Sequence, residues 1–274
     1  VRAFNSIPMK SKSLKLILLL FATLISCSKD SENSTSIIED ENGNPIEVDT
    51  STNKKNVGDS SNDLLSSSSF EKLVIEILYV GELDPTATTI DNFKGFLEAR
   101  LNKPQGIEII LRQIDNEGQE VYSIQDIRNI EDTHRRKFND QETIAVNGIF
   151  IDGEYDQNTA NGSVLGVAYR NTSFVIFEET IRGFSNQPLA PSLSTLESVV
   201  LNHEVGHLLG LVNAGTTMQT DHQDTEHGRH CSEEDCLMYW TAETGEGLLN
   251  MLTGGSVPSL DALCISDLQA NGGK

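Results

Sequence analysis

PSLSTLESVVLNHEVGHLLG, residues 191–210, is the stretch from which the rest of the chain is read. Ser194-Thr195-Leu196-Glu197 matches a capping box and Gly210 supplies a stop, so the pattern predicts one helix from Thr195 to Leu209. On it lies His203-Glu204-Val205-Gly206-His207. Residues four apart project from one helical face, so the two imidazoles can present nitrogen atoms to a single Zn²⁺, while Glu204 points toward the adjoining edge of the site. At average composition such a pattern arises by chance in on the order of one chain in a hundred of this size. Its context argues against chance, because five of the six His (203, 207, 222, 227, 230) crowd into residues 203–230. A third metal ligand would come from that cluster.

Upstream, Lys72 to Val80 (KLVIEILYV) reads as a buried strand, and Thr89 to Lys103 carries helical spacing through Ile90, Phe93, Phe96, Leu97 and Leu101. A strand over Ile107 to Ile114 and a helix over Ile124 to Phe138 follow. Thr143 to Asp152, Val164 to Arg170 and Ser173 to Glu178, rich in Val, Ile, Phe and Tyr, read as three more strands. A βαβα start followed by strands predicts an α/β domain with a mixed sheet and one antiparallel edge strand. About Leu260 to Ala270 reads as a C-terminal helix.

The whole chain of 274 residues carries a formal net charge of −21, which repels phosphate backbones and argues against nucleic-acid partners. Its first 26 residues hold Arg2, Lys10, Lys12 and Lys15 and no acid, followed by an apolar run from Leu16 to Leu24. This predicts a signal peptide, 1–26, too short for a comfortable membrane span. Leu24-Ile25-Ser26-Cys27 resembles a bacterial lipobox. An acylated Cys27 would hold the chain on a lipid membrane, as an outer-membrane lipoprotein of the bacterial cell envelope, exposed at the surface if the acidic string after Cys27 acts as an export signal. Residues 28–69 contain eleven Ser, nine acids and no aromatic residue, so 27–69 is expected to be a disordered tether. The globular domain is then expected over 70–274.

His203-Glu204-Val205-Gly206-His207-Leu208-Leu209-Gly210 resembles the metzincin zinc metallopeptidases, whose extended pattern is HExxHxxGxxH followed by a Met-turn. The expected third His is Asn213 here, and a carboxamide is a poor Zn²⁺ ligand beside imidazole. His230-Cys231-Ser232-Glu233-Glu234-Asp235-Cys236-Leu237-Met238 is similar to the HCx₄CxM element of archaemetzincins, and the HxDxxHxxHC string ending in CLMYW looks like that of bacterial lipoprotein metalloproteases. The resemblance implies a mixed, mostly parallel twisted sheet with an active-site helix, a Met-turn at Met238 and a C-terminal helix. It implies His230 as third ligand beside His203 and His207, delivered by an inserted loop, with His222, His227 and Asn213 as alternatives.

It also implies one catalytic zinc, Glu204 as general base, and hydrolysis of protein or peptide substrates by a zinc endopeptidase. Two alternatives belong to other classes: a non-catalytic zinc-binding surface lipoprotein, for adhesion or scaffolding, and a zinc amidase or deacetylase. An intact Glu204 separates the first from an enzyme, because a scaffold needs no general base. Tyr239 is a candidate for oxyanion stabilisation, with packing or pocket lining as the plainer role. Cys231, Cys236 and Cys264 in an oxidising compartment predict a disulfide, Cys231 to Cys236 ahead of a bridge to Cys264. Archaemetzincins hold a second, structural zinc with comparable Cys, but their closing CxxC is absent from Cys264-Ile265-Ser266-Asp267. Neither a second Zn²⁺ nor a structural Ca²⁺ at Asp152-Gly153-Glu154-Tyr155-Asp156 is therefore expected.

Overall fold

The computed structural model describes residues 35–39, 44–116, 118–159, 162–252 and 255–274. The expected signal peptide and Cys27 lie outside these residues. In chain order the elements are β1 (Thr35–Glu39), β2 (Pro45–Asp49), α1 (Ser61–Leu65), β3 (Lys72–Val80), α2 (Ala87–Glu98), β4 (Ile107–Ile114), β5 (Val121–Tyr122) and α3 (Ile124–His134). Then come β6 (Thr143–Ile151), β7 (Glu154–Tyr155), β8 (Gly166–Arg170), β9 (Ser173–Phe177), α4 (Glu178–Ser185), α5 (Leu193–Leu208), α6 (Gly245–Met251) and α7 (Ala262–Ala270).

The central sheet has the order β4-β3-β6-β9-β8. Its first four strands pair in parallel, and β8 runs antiparallel to β9 at the edge. Strands buried on both faces need continuous apolar runs, and KLVIEILYV and SFVIF supply them: every residue of β9 is buried. Side chains of alternate parity feed two cores. On one face Ile75, Ile77, Phe150, Phe174 and Ile176 pack against Phe93 and Leu97 of α2, Ile181 of α4 and the buried length of α5. On the other, Leu78, Val80, Ile149, Val175 and Phe177 meet Ile127 and Ile130 of α3. The result is a mixed, mostly parallel sheet between helical layers.

Part of the expected tether is wrong. From Thr50 onward the chain is built into the domain: Leu64 and Leu65 are buried in the larger core, each worth about 1.5–3 kcal/mol of transfer free energy. Asn53 is buried and its amide donates to Asn139 Oδ1 at 2.8 Å, Thr172 Oγ1 at 3.1 Å and the Ala145 carbonyl at 3.2 Å. Lys103 Nζ donates to the carbonyls of Asp63, Ser66 and Phe70. A serine-rich composition hides this, because the segment is held by side chains that arrive from distant parts of the chain.

Three helix ends also move. The turn after α2 is drawn off by Asn102, whose amide bonds the Leu65 carbonyl at 2.8 Å, so α2 stops at Glu98. At Arg135, α3 breaks because that guanidinium turns inward to Glu131 and the Ala145 carbonyl. The cap of α5 is Ser192, which accepts from the Thr195 amide. Glu197 does not cap. It is buried and its Oε2 accepts from the Thr86 amide at 3.0 Å, Thr86 Oγ1 at 2.9 Å and Thr89 Oγ1.

Beside it lies Glu178, fully buried on α4, its Oε1 paired with Arg182 at 2.6 Å. Glu178 Oε2 and Glu197 Oε1 are both buried acceptors without a donor, a need that one proton held between them meets. Burial first and the Glu197 charge second raise the Glu178 pKa to about 9. The unfolded chain binds fewer protons than the folded one between the ordinary carboxylate range and that value, so stability falls as pH rises across it, by up to about 1.4 kcal/mol per pH unit. Denaturant unfolding at pH 6 and pH 8.5 should show the loss in the parent, and Glu178→Gln, which keeps a donor for Glu197, should flatten it. An equal slope in both chains would refute the shared proton.

Candidate metal centre

Helix α5 is buried from Leu196 to Leu208 without a break, so its polar side chains must find partners inside the protein. His203 and His207 project from one face, their Nε2 atoms 3.1 Å apart. His230 reaches the same point from the loop beyond the helix. Its ring centroid lies 5.2 Å from each of the other two, and all three imidazoles are buried. His203 Nδ1 lies 2.8 Å from the Leu237 carbonyl, and His230 Nδ1 lies 2.7 Å from the His227 carbonyl. A carbonyl accepts only, so each Nδ1 carries the proton and each Nε2 presents its lone pair inward.

The fourth member of this cluster is Glu243, missed in the sequence. One donor atom from each of His203, His207, His230 and Glu243 lies within 4.8 Å of the others. Glu243 ends the 3₁₀ helix Trp240–Glu243, which follows directly on the Met238 turn. The only signal for it was an acid placed five residues after Met238, and no spacing rule marks it.

Burial and the Glu243 charge act on the imidazoles in opposite directions. Burial first and His203 second push the His207 pKa well below its usual range. For His230 burial, the largest effect, also works downward, but the Glu243 carboxylate, the His227 carbonyl and the Asp224 charge together make the net shift upward. Glu204 is fully buried with neither oxygen hydrogen-bonded. Burial first and Glu243 second raise its pKa well above the carboxylate range. His230 Nε2 likewise has no hydrogen-bond partner. Three converging imidazoles, two of them with the lone pair turned inward, and a buried carboxyl beside them are the donor set and neighbour that a zinc ion with a bound water would satisfy.

The rivals for third ligand are elsewhere. Asn213 is exposed, with a left-handed φ of 61°. His227 stacks on Trp240, centroids 4.2 Å apart, and holds Asp224 Oδ2 at 2.6 Å. His222 belongs to a second cluster. Tyr239 lies beside Trp240, centroids 6.1 Å apart.

The second cluster corrects the expected disulfide. Cys231, Cys236 and Cys264 are free thiols, all buried. His222 Nδ1 is 3.2 Å from Cys231 Sγ, and its Nε2 is 2.9 Å from Asp267 Oδ2. Cys236 Sγ is 3.7 Å from Cys264 Sγ, and Cys231 Sγ is 3.2 Å from Asp261 Oδ2. His222, Cys231, Asp261 and Cys264 offer donor atoms within 4.8 Å of one another. Hydrogen bonds from Cys231 and Cys264 hold the Cys236 thiol far below its usual range. Thiolate with imidazole is a tetrahedral zinc donor set, so the expectation against a second Zn²⁺ does not stand on the donors present. The closing Cys that the resemblance lacks is Asp267, which positions His222 instead.

Met238 is buried beneath α5. A Cβ on Gly206, between the two helical His, would stand 2.3 Å from Met238 Sδ. Gly166 of β8 likewise leaves room for Glu204, whose Oε1 would be 2.8 Å from a Cβ there.

No protein-family model and no curated protein matches the chain. Among solved structures it is similar to archaemetzincin from Methanopyrus kandleri, with 17% identity and a TM-score of 0.48 over 74% of this chain and 96% of that one. It is also similar to metalloproteinase-II from Bacteroides fragilis, with 13% identity and a TM-score of 0.40 over 86% of this chain and 64% of that one.

Gly206→Ala tests the seating of Met238 under the helix. Overpacking of this kind costs about 1–3 kcal/mol, so the denaturation midpoint should drop, and zinc affinity with it as the Met238 turn shifts the Leu237 carbonyl off His203. Adding Met238→Ala should restore part of the stability. An unchanged midpoint in Gly206→Ala would show that the contact is slack.

Proposed function

We propose that this chain is a zinc-dependent endopeptidase whose centre is held by His203, His207 and His230 and whose general base is Glu204. The observation that carries the reading is the convergence of three buried imidazoles from two elements, two of them locked in tautomer by backbone carbonyls, beside a buried carboxyl with no partner. Zn²⁺ bound there supplies Lewis acidity and lowers the pKa of a coordinated water to around 7. Glu204 accepts a proton from the attacking water and returns it to the leaving amine nitrogen. The Leu237 and His227 carbonyls keep two ligands oriented through the cycle. A non-catalytic zinc scaffold has no use for an unpaired carboxyl buried at the centre, where its desolvation is a standing cost.

The same reading includes a second, structural zinc at His222, Cys231 and Cys264, with Cys236 or Asp261 completing the set. Cys231 follows His230 directly, so an ion there would hold the loop that delivers the third ligand. We extend the reading to the cell envelope: the lipobox-like Cys27 would anchor the enzyme to a lipid membrane of a bacterial outer membrane, with peptide substrates met outside the cytoplasm. Among the described residues no helix is long and apolar enough to cross a membrane.

Metal analysis with a peptide-library cleavage assay on the full chain tests this. Glu204→Gln should keep two zinc ions per chain and cleave nothing, because it preserves size and removes the proton acceptor. His230→Ala should lose one ion and Cys264→Ala the other. Turnover by Glu204→Gln near the parent's rate would overturn the mechanism, and retention of both ions by His230→Ala would overturn the ligand assignment.

A further inference from the structure

Three imidazoles leave one vertex of a tetrahedron, and the structure has a candidate for it. Glu243 Oε1 lies 3.5 Å from His230 Nε2 and Glu243 Oε2 lies 3.7 Å from His203 Nε2. These separations are too long for strong charge-assisted hydrogen bonds, which run at about 2.7–2.9 Å. They are close to the donor-to-donor edge of a tetrahedral zinc site, about 3.3–3.5 Å for bonds of 2.0–2.2 Å. Each carboxylate oxygen thus stands from one imidazole at about that edge length, and one oxygen lies within 4.8 Å of a ring nitrogen of all three histidines. Among the described residues, its ion-pair partners are these two imidazoles alone.

The backbone fixes it there. The Ala242 amide bonds the Tyr239 carbonyl at 3.0 Å, tying the 3₁₀ turn to the Met238 segment. The Glu243 carbonyl accepts from the Leu165 amide at 2.9 Å, and the Gly245 amide donates to the Ser163 carbonyl at 3.0 Å. Glu243 is thus pinned between the turn below the centre and the chain leading into β8. Glu204, the other acid at the centre, has no such approach to two imidazoles and stays free for a proton.

We propose that the Glu243 carboxylate is the fourth ligand of the metal bound by His203, His207 and His230, closing the centre at rest. Water or a substrate carbonyl then enters only by displacing it. This rests on the zinc reading above and goes beyond it, because it makes the resting enzyme latent. A carboxylate ligand also cancels one of the two positive charges of the ion, lowering its acidity until Glu243 leaves.

Cobalt(II) in place of zinc in the full chain reads the coordination directly. The spectrum of this centre is isolated by subtracting that of a His203→Ala, His207→Ala chain, in which cobalt can occupy only the thiol cluster. The parent difference spectrum should be constant from pH 6 to pH 9, and azide should bind it weakly. Glu243→Gln, which keeps shape and removes the anionic ligand, should show a titration near pH 7, the mark of a coordinated water, and should bind azide about tenfold tighter or better. A parent spectrum that titrates near pH 7 and takes azide as readily as the variant would overturn the proposal and leave the zinc reading standing. No difference spectrum at all would overturn both. Should Glu243→Gln fail to fold, the parent still decides, since a water-ligated centre titrates and a carboxylate-closed one does not.

Discussion

The bond between His203 Nδ1 and the Leu237 carbonyl ties the two halves of the site together. A helix buried over Leu196–Leu208 cannot leave its polar side chains to solvent, so Glu197 and His203 are met by groups from other parts of the chain while Glu204 is left without a donor. The Leu237 carbonyl meets His203. Because Leu237 precedes Met238, the same bond sets the Met238 turn against Gly206, and the chain beyond that turn carries Glu243 to the three imidazoles.

The long loop after α5 acquires its order from the second cluster. His222, Cys231, Cys236 and Cys264 join the two ends of that loop to α7, and Asp267 and Asp261 of the same C-terminal region hold His222 and Cys231. The Cys231 amide bonds the Met238 carbonyl at 2.8 Å, so the residue after the third imidazole is laced to the turn under the first. Fixing one cluster fixes the other. That coupling gives a loop with little regular secondary structure enough precision to present His230 next to two helical imidazoles.

Much of this could be read from residues alone. The 3.6-residue spacing put His203 and His207 on one face, and the apolar runs marked the strands of the central sheet within a residue or two; His230 was named by the resemblance to the HCx₄CxM element, and the fold brings its ring beside the other two. What stayed hidden had a common cause, dependence on partners far away in the chain. Residues 50–69 are polar enough to read as a tether, and they are ordered because Asn139, Asn171 and Lys103 bond to them across the fold. Glu197 fits a capping box and is instead drawn inward by Thr86 and Thr89. Three Cys read as a disulfide and a spare, because nothing in their spacing shows that His222 would join them. Glu243 carried no motif.

The central claim is that one zinc ion sits among His203, His207 and His230. Diffraction data collected on either side of the zinc absorption edge, from crystals of the chain grown with zinc, locate the ion without reference to activity. The account requires an anomalous peak about 2.0–2.1 Å from the Nε2 atom of each of the three imidazoles. A chain that binds zinc with no peak at that point, or with His222 or His227 in the place of His230, would contradict it.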